Sequence, residues 1–265
     1  MMGPAHSLSG AAAWLSAGAA AALLDHPMPW PVLVIGTLIC AGAALAPDLD
    51  QKSATISRAF GPLSHGLCLV VGQLSESVYN ATRARRERHR NGGHRTLTHT
   101  GLWALLLGAM FSAGAAWGGH WVVLGILFVH MVLAVEGLLW RAARGSGSNV
   151  LVWLLGATSA WILARVLAQP GNGAHWLFPA GTPDYLWLGI PIVLGAVVHS
   201  IGDALTVSGS PILWPLPIGG KRWYPLGTPR FMRFRAGAWV EVKVLMPLFM
   251  VIGGAGGLAA LGFFV

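Results

Sequence analysis

Apolar residues recur along this chain in runs of roughly 17–23, each broken by a short polar stretch. That is the length an α-helix needs to cross a hydrocarbon core of about 30 Å at about 1.5 Å per residue. The runs cover 8–24, 30–47, 100–118, 121–140, 150–168, 186–206 and 244–264. The first is the weakest, being mostly alanine. The stretch 53–79 behaves differently: apolar and polar residues alternate there at helical spacing, which predicts an amphipathic helix on the inner membrane surface. The pattern predicts an all-α, polytopic transmembrane bundle of about seven helices with a cytoplasmic amphipathic helix, and 1–265 as a single membrane-embedded domain.

Composition agrees. Only 10% of the 265 residues are charged, against about 25% in soluble domains. The 36 glycines suit closely packed membrane helices. The start, "MMGPAHSLSGAAAW", has no Lys or Arg before its apolar run; it is expected to be retained rather than cleaved as a secretory signal. Cys40 and Cys68 lie in or near apolar stretches, and reduced thiols are expected.

Charge then orients the bundle. With the N-terminus inside and seven crossings, the loops 48–99, 141–149 and 207–243 face the cytoplasm, and they hold sixteen of the seventeen Lys and Arg residues. Only Arg165 falls toward the outer side. This follows the positive-inside rule and favours seven crossings over six. The net charge of +8 is therefore a topology signal, with membrane lipids as the first partner of the Arg-rich loops. The basic run "TRARRERHR" lacks interleaved aromatics, so direct nucleic-acid binding is not expected.

Four groups of metal-type residues map to the cytoplasmic ends of helices one, two, three and six: His6; Asp48 and Asp50 of "APDLD"; His94 and His99 of "HRTLTH"; and His199, Asp203 and Thr206 of "HSIGDALT". Hydropathy and Lys/Arg counting used none of them, so their convergence is independent support. His199 and Asp203 are four apart and share one helix face. Ionisable groups near the membrane core are costly and mark function. A His/Asp set without cysteine suits zinc, manganese or iron rather than a thiolate zinc site.

An N-terminal His, PDxD at the second helix end, HRxxTH before the third and a late HxxxDxxT followed by "GSPILWPLP" resemble the membrane-bound metal-dependent hydrolase family, also described as LexA-binding, inner-membrane-associated hydrolases. The resemblance spans roughly 1–245 and implies a hydrolase at the inner membrane and a possible regulatory protein partner. The same order is remotely similar to the zinc-dependent phospholipase C and P1 nuclease superfamily. Carried over, Asp48, His99 and His199 hold one metal, His6 holds a second and Asp203 bridges them, giving one or two ions. His94, Arg95, Asp50 and Thr98 are left for catalytic roles, and Arg222, Arg230 and Thr206 for substrate binding. The expected function is hydrolysis of a phosphoester of a lipid or related substrate by a metal-activated water at the cytoplasmic face. The alternative is a non-catalytic metal-binding membrane protein, acting as a regulatory partner or a transporter.

Reporter fusions after Asp25 and after Gly173 are expected to read outside, and one after Asn91 inside. A cytoplasmic readout at Gly173 would overturn the orientation.

Overall fold

In a computed structural model, the structure describes residues 1–139, 149–169, 177–178 and 183–263. Arg141 and Arg144 of the expected inner loop, and Gly173 of the expected outer one, lie outside the described residues. The described chain is helical and contains no strand. The helices are α1 (Gly3–Leu23), α2 (Trp30–Ala43), α3 (Ile56–Ala59), α4 (Pro62–Thr82), the long Gly101–Leu138, α7 (Asn149–Leu167), α8 (Gly189–Ala204) and α9 (Met246–Ala260).

Gly101–Leu138 is two helices. At about 1.5 Å per residue a straight helix would separate Phe111 from His130 by about 28 Å, yet their rings meet at 5.5 Å. The chain reverses at Gly119, whose φ of 68° and ψ of −167° are non-helical. Glycine adopts this left-handed φ without a Cβ clash. The limbs 101–118 (α5) and 120–138 (α6) match the two separate runs read from the sequence. Among the described residues, five stretches are long and apolar enough to cross a membrane: Trp30–Asp50, Gly101–Leu138, Val150–Leu167, Leu186–Ala204 and Glu241–Ala260. The second supplies two limbs. The alanine-rich α1 is not among the five, but it packs on α2, α8 and α9.

α2 is the hub. Its α-helix stops at Ala43, earlier than the run 30–47 suggested, and the chain turns through a 3-10 segment, Ala46–Asp50. Pro47 has no N–H to continue the ladder. Neighbours reach α2 through glycines: a Cβ on Gly10 of α1, or on Gly195 of α8, would stand 2.5 Å from the Cys40 carbonyl oxygen. Such contacts trade side-chain bulk for backbone proximity, the usual basis of close packing between membrane helices. Around this hub Trp14, Val32, Ile35, Ile39, Leu127, Met131, Trp187 and Ile192 form the main core. At the periphery α7 and α9 present leucines, valines and tryptophans outward, among them Leu154, Trp161, Leu248 and Val251.

The amphipathic stretch is narrower than expected at its start. Gly61, with φ 59°, separates α3 from α4. α4 buries Ser64, Cys68, Ser75 and Tyr79 and exposes Leu63, Leu67, Val70 and Leu74. Its apolar stripe, at spacings of four, three and four, faces away from the protein. That inverts the arrangement of a helix bathed in water.

Gly195→Val is expected to destabilise the protein by about 1–3 kcal/mol through overpacking, read as a lower midpoint of thermal unfolding in detergent. Gly66→Ala, whose added Cβ meets nothing within 4 Å, should leave the midpoint unchanged or slightly raised.

Candidate metal centre

At one end of the bundle, four segments far apart in sequence deliver side chains to one point. The 3-10 turn after α2 carries Asp48, the turn Leu97–His99 before α5 carries His99, and the last turns of α8 carry His199 and Asp203. One ligand-type atom from each of these four residues lies within 4.8 Å of all the others. His99 Nε2 is 3.6 Å from Asp48 Oδ1 and 3.4 Å from Asp203 Oδ2. His199 Nε2 is 3.6 Å from Asp48 Oδ1 and 3.7 Å from Asp203 Oδ2. The two Nε2 atoms are 3.2 Å apart. Donors around a tetrahedral ion with bonds of about 2.1 Å stand about 3.4 Å from one another, so these five edges are those of a tetrahedral donor set.

The supporting contacts fix the rings. His199 Nδ1 is 2.7 Å from the Ala44 carbonyl oxygen; an N–H there leaves the Nε2 lone pair for the cluster. His99 Nδ1 meets Thr98 Oγ1 at 3.0 Å, and Thr98 Oγ1 donates to Asp50 Oδ2 at 2.7 Å. The other Asp50 oxygen holds His94 Nδ1 at 2.9 Å. Asp50 is thus a brace between Thr98 and His94. With Asp48 and His94 it also forms a second close set of potential donors.

His6 lies beside the cluster, on the Asp203 oxygen that the other two imidazoles leave free. Its ring stacks on His199, centroids 3.7 Å apart, and its Nε2 is 3.4 Å from Asp203 Oδ1, but it belongs to neither donor set. The α-amino group of Met1 also lies on Asp203 Oδ1. Arg95 also reaches the cluster, with Nε 3.0 Å from Asp203 Oδ2 and Nη1 donating to Thr206 Oγ1 at 2.9 Å.

Local backbone puts His94 and Arg95 there. A Cβ on Gly93 would stand 2.4 Å from the Gly72 carbonyl oxygen, so only glycine lets this loop lie on α4. Arg95 has φ 57°, a left-handed conformation that is strained for a long side chain and typical of functional positions. Sequence reading placed His94, Arg95, Asp50, Thr98 and Thr206 beside the metal-type residues, and all five are there. Arg222 and Arg230 are not: both are exposed, the first facing the Thr82 carbonyl oxygen at 3.4 Å, and neither lines a cavity touching the cluster. The residues missed are Arg86, Arg88, Arg90 and Lys221, which line a cavity with His94 and Arg95. Their signal was the basic run itself.

A divalent cation fits these residues. Asp203 Oδ2 is buried and accepts no aligned hydrogen bond, although three cationic or imidazole nitrogens surround it within 3.7 Å. Burial acts against a charged His99, but its contacts with Asp203 and Asp48 and the nearby Asp50 charge raise its pKa to about 9. Without a cation, the cluster therefore holds a proton on His99 at neutral pH.

The family model of the YdjM inner membrane protein matches residues 1–136. No curated protein and no solved structure matches the chain.

Asp203→Asn removes one of the two carboxylates nearest His99. In chelator-treated protein the His99 pKa is expected to fall from about 9 toward about 6.5, followed by histidine NMR titration. An unchanged value would mean that Asp203 does not hold this proton.

Proposed function

The chain belongs to the YdjM inner membrane protein family, and on that premise we propose that this multi-pass membrane protein is a metal-dependent hydrolase. Its substrate is a phosphoester of a membrane lipid or a related molecule, and its site faces the cytoplasm. The observation that carries the reading is the donor tetrahedron of Asp48, His99, His199 and Asp203, with five of its six edges at 3.2–3.7 Å and the sixth within 4.8 Å. Two carboxylates and two neutral imidazoles suit zinc, with manganese or iron as alternatives. In the second set of potential donors, which shares Asp48, His94 and Asp50 are hydrogen-bonded to each other.

Asp48, His99, His199 and Asp203 would hold the cation, which when bound would supply a water of lowered pKa and polarise a phosphoryl oxygen. The remaining work falls to the chain. Asp50 holds His94 Nδ1, so His94 Nε2 is left to take a proton from the attacking water or return one to the leaving oxygen. Thr98 fixes the second Asp50 oxygen, which keeps the His94 ring in one orientation. Arg95, tied by Nε and Nη1, keeps Nη2 for a phosphate oxygen, where a planar guanidinium donates in a fixed direction. The donors sit at the end of the bundle and not at its middle. This favours chemistry on a headgroup over transport, which places ligands near the bilayer midplane.

Purified protein is expected to contain about one zinc ion per chain and to hydrolyse at least one member of a phosphoester panel. Asp203→Ala should lose the metal and the activity while keeping its helical circular dichroism. Thr98→Val should keep the metal and lose most of kcat, about tenfold or more for a misplaced proton carrier. Full metal occupancy in Asp203→Ala would sink the proposal.

A further inference from the structure

Beside the cluster lies a cavity of about 770 Å³, within the range of small-molecule sites. It is lined by Arg86, Arg88, Arg90, Arg95 and Lys221, and its single lining carboxylate is Glu87. That carboxylate offsets one of these charges and forms no ion pair with any of them. It is buried and accepts from the backbone N–H groups of Ala84 at 2.7 Å, Trp223 at 2.8 Å and Arg222 at 3.3 Å. Glu87 therefore staples the basic loop to the turn that carries Lys221.

The rest of the loop is anchored as well. Tyr79 donates to the Arg88 carbonyl oxygen at 3.1 Å, and the Asn80 side chain bonds both the N–H and the carbonyl of Arg90. Trp223 stacks on Trp214 and meets the Tyr79 ring at a tilt, forming an aromatic wall. Among the described residues no carboxylate lies within ion-pair distance of Arg86, Arg88, Arg90 or Lys221. Four cations on an anchored backbone face one space with a single carboxylate among them, although Arg90 also lies over the Tyr79 ring; the excess positive charge favours an anion there.

His94 and Arg95 line this cavity and also the smaller one, of about 330 Å³, that contains Asp48. The two spaces meet at the pair of residues that touch the cluster. A single phosphate is satisfied by Arg95 and one further guanidinium, which leaves the other cations unanswered. We propose that the basic cavity binds a diphosphate group, with one phosphate at Arg95 beside the donor cluster and the other among Arg86, Arg88, Arg90 and Lys221. This deepens the hydrolase reading, on which the placement of the first phosphate rests. The diphosphate can be borne by a lipid or by a soluble molecule such as a nucleoside diphosphate.

The test uses the full chain in nanodiscs, treated with chelator so that binding is read apart from metal chemistry. Inorganic pyrophosphate is expected to bind at least about tenfold more tightly than orthophosphate, because it adds charge-assisted hydrogen bonds. The double variant R86Q/R90Q should lose that preference by about tenfold, while its zinc content after reloading stays that of the parent. Both arginines are exposed, so folding is not at stake, and the zinc content checks it. Equal affinity for the two anions, or an undiminished preference in R86Q/R90Q, overturns the proposal. Competition with a prenyl diphosphate and with a nucleoside diphosphate then identifies the source. Displacement by either one supports the site, and displacement by neither overturns it. Pyrophosphate binding, together with no hydrolysis of any phosphoester by the zinc-reloaded protein, would leave the cavity standing and remove the hydrolase reading instead.

Discussion

The cluster depends on how near α1 and α8 come to α2. Gly10 and Gly195 meet the Cys40 carbonyl with no room for a side chain, and this approach brings the two flanking helices onto the last turn of α2. One turn further on are Ala44, whose carbonyl holds His199, and then Asp48. Helices kept apart by ordinary side chains stand about 8–10 Å from axis to axis, and short Asp and His side chains would reach one another less easily across that gap. The glycine contacts in the apolar layer therefore set the ångström-scale geometry in the polar layer above it.

The polar layer is costly in its own right. His6, His99, His199 and Asp203 are almost wholly buried, and ionisable groups removed from water are tolerated only when paired or bound to a cation. Each has partners: His6 stacks on His199, His99 rests on Thr98 and two carboxylates, and Arg95 closes over Asp203. The loop bearing Arg95 adopts a left-handed backbone and lies on α4 by way of Gly93. Local strain and tight packing are thus concentrated beside the buried charges.

Much of this was legible because it follows from short-range periodicity. The i, i+4 spacing of His199 and Asp203 required a shared helix face, and the break near Gly119 separated two apolar runs before the contact between Phe111 and His130 located the reversal. What stayed hidden depends on distant contacts. Asp48 and Asp50 are two apart on one 3-10 turn, and nothing local says that the first joins the donor tetrahedron while the second braces His94. His6 could not be assigned to a stack with His199 without knowing how α1 leans on α8. The basic run reads as solvated surface until Glu87 is seen to grip Trp223, 136 positions away. Lys221 lines the cavity, whereas its neighbour Arg222 turns its guanidinium to the Thr82 carbonyl.

The order in which the donors occur along the chain has a consequence in time. Residues 1–136, the part matched by the family model, carry Asp48 and His99, whereas His199 and Asp203 arrive only with α8. During synthesis the first two donors are made before their partners, and the tetrahedron cannot close until α8 has docked against α2. A cation that uses all four donors is thus admitted late in biogenesis. A chain arrested after α6 would carry half of a site, with a buried acid and imidazole awaiting their complement.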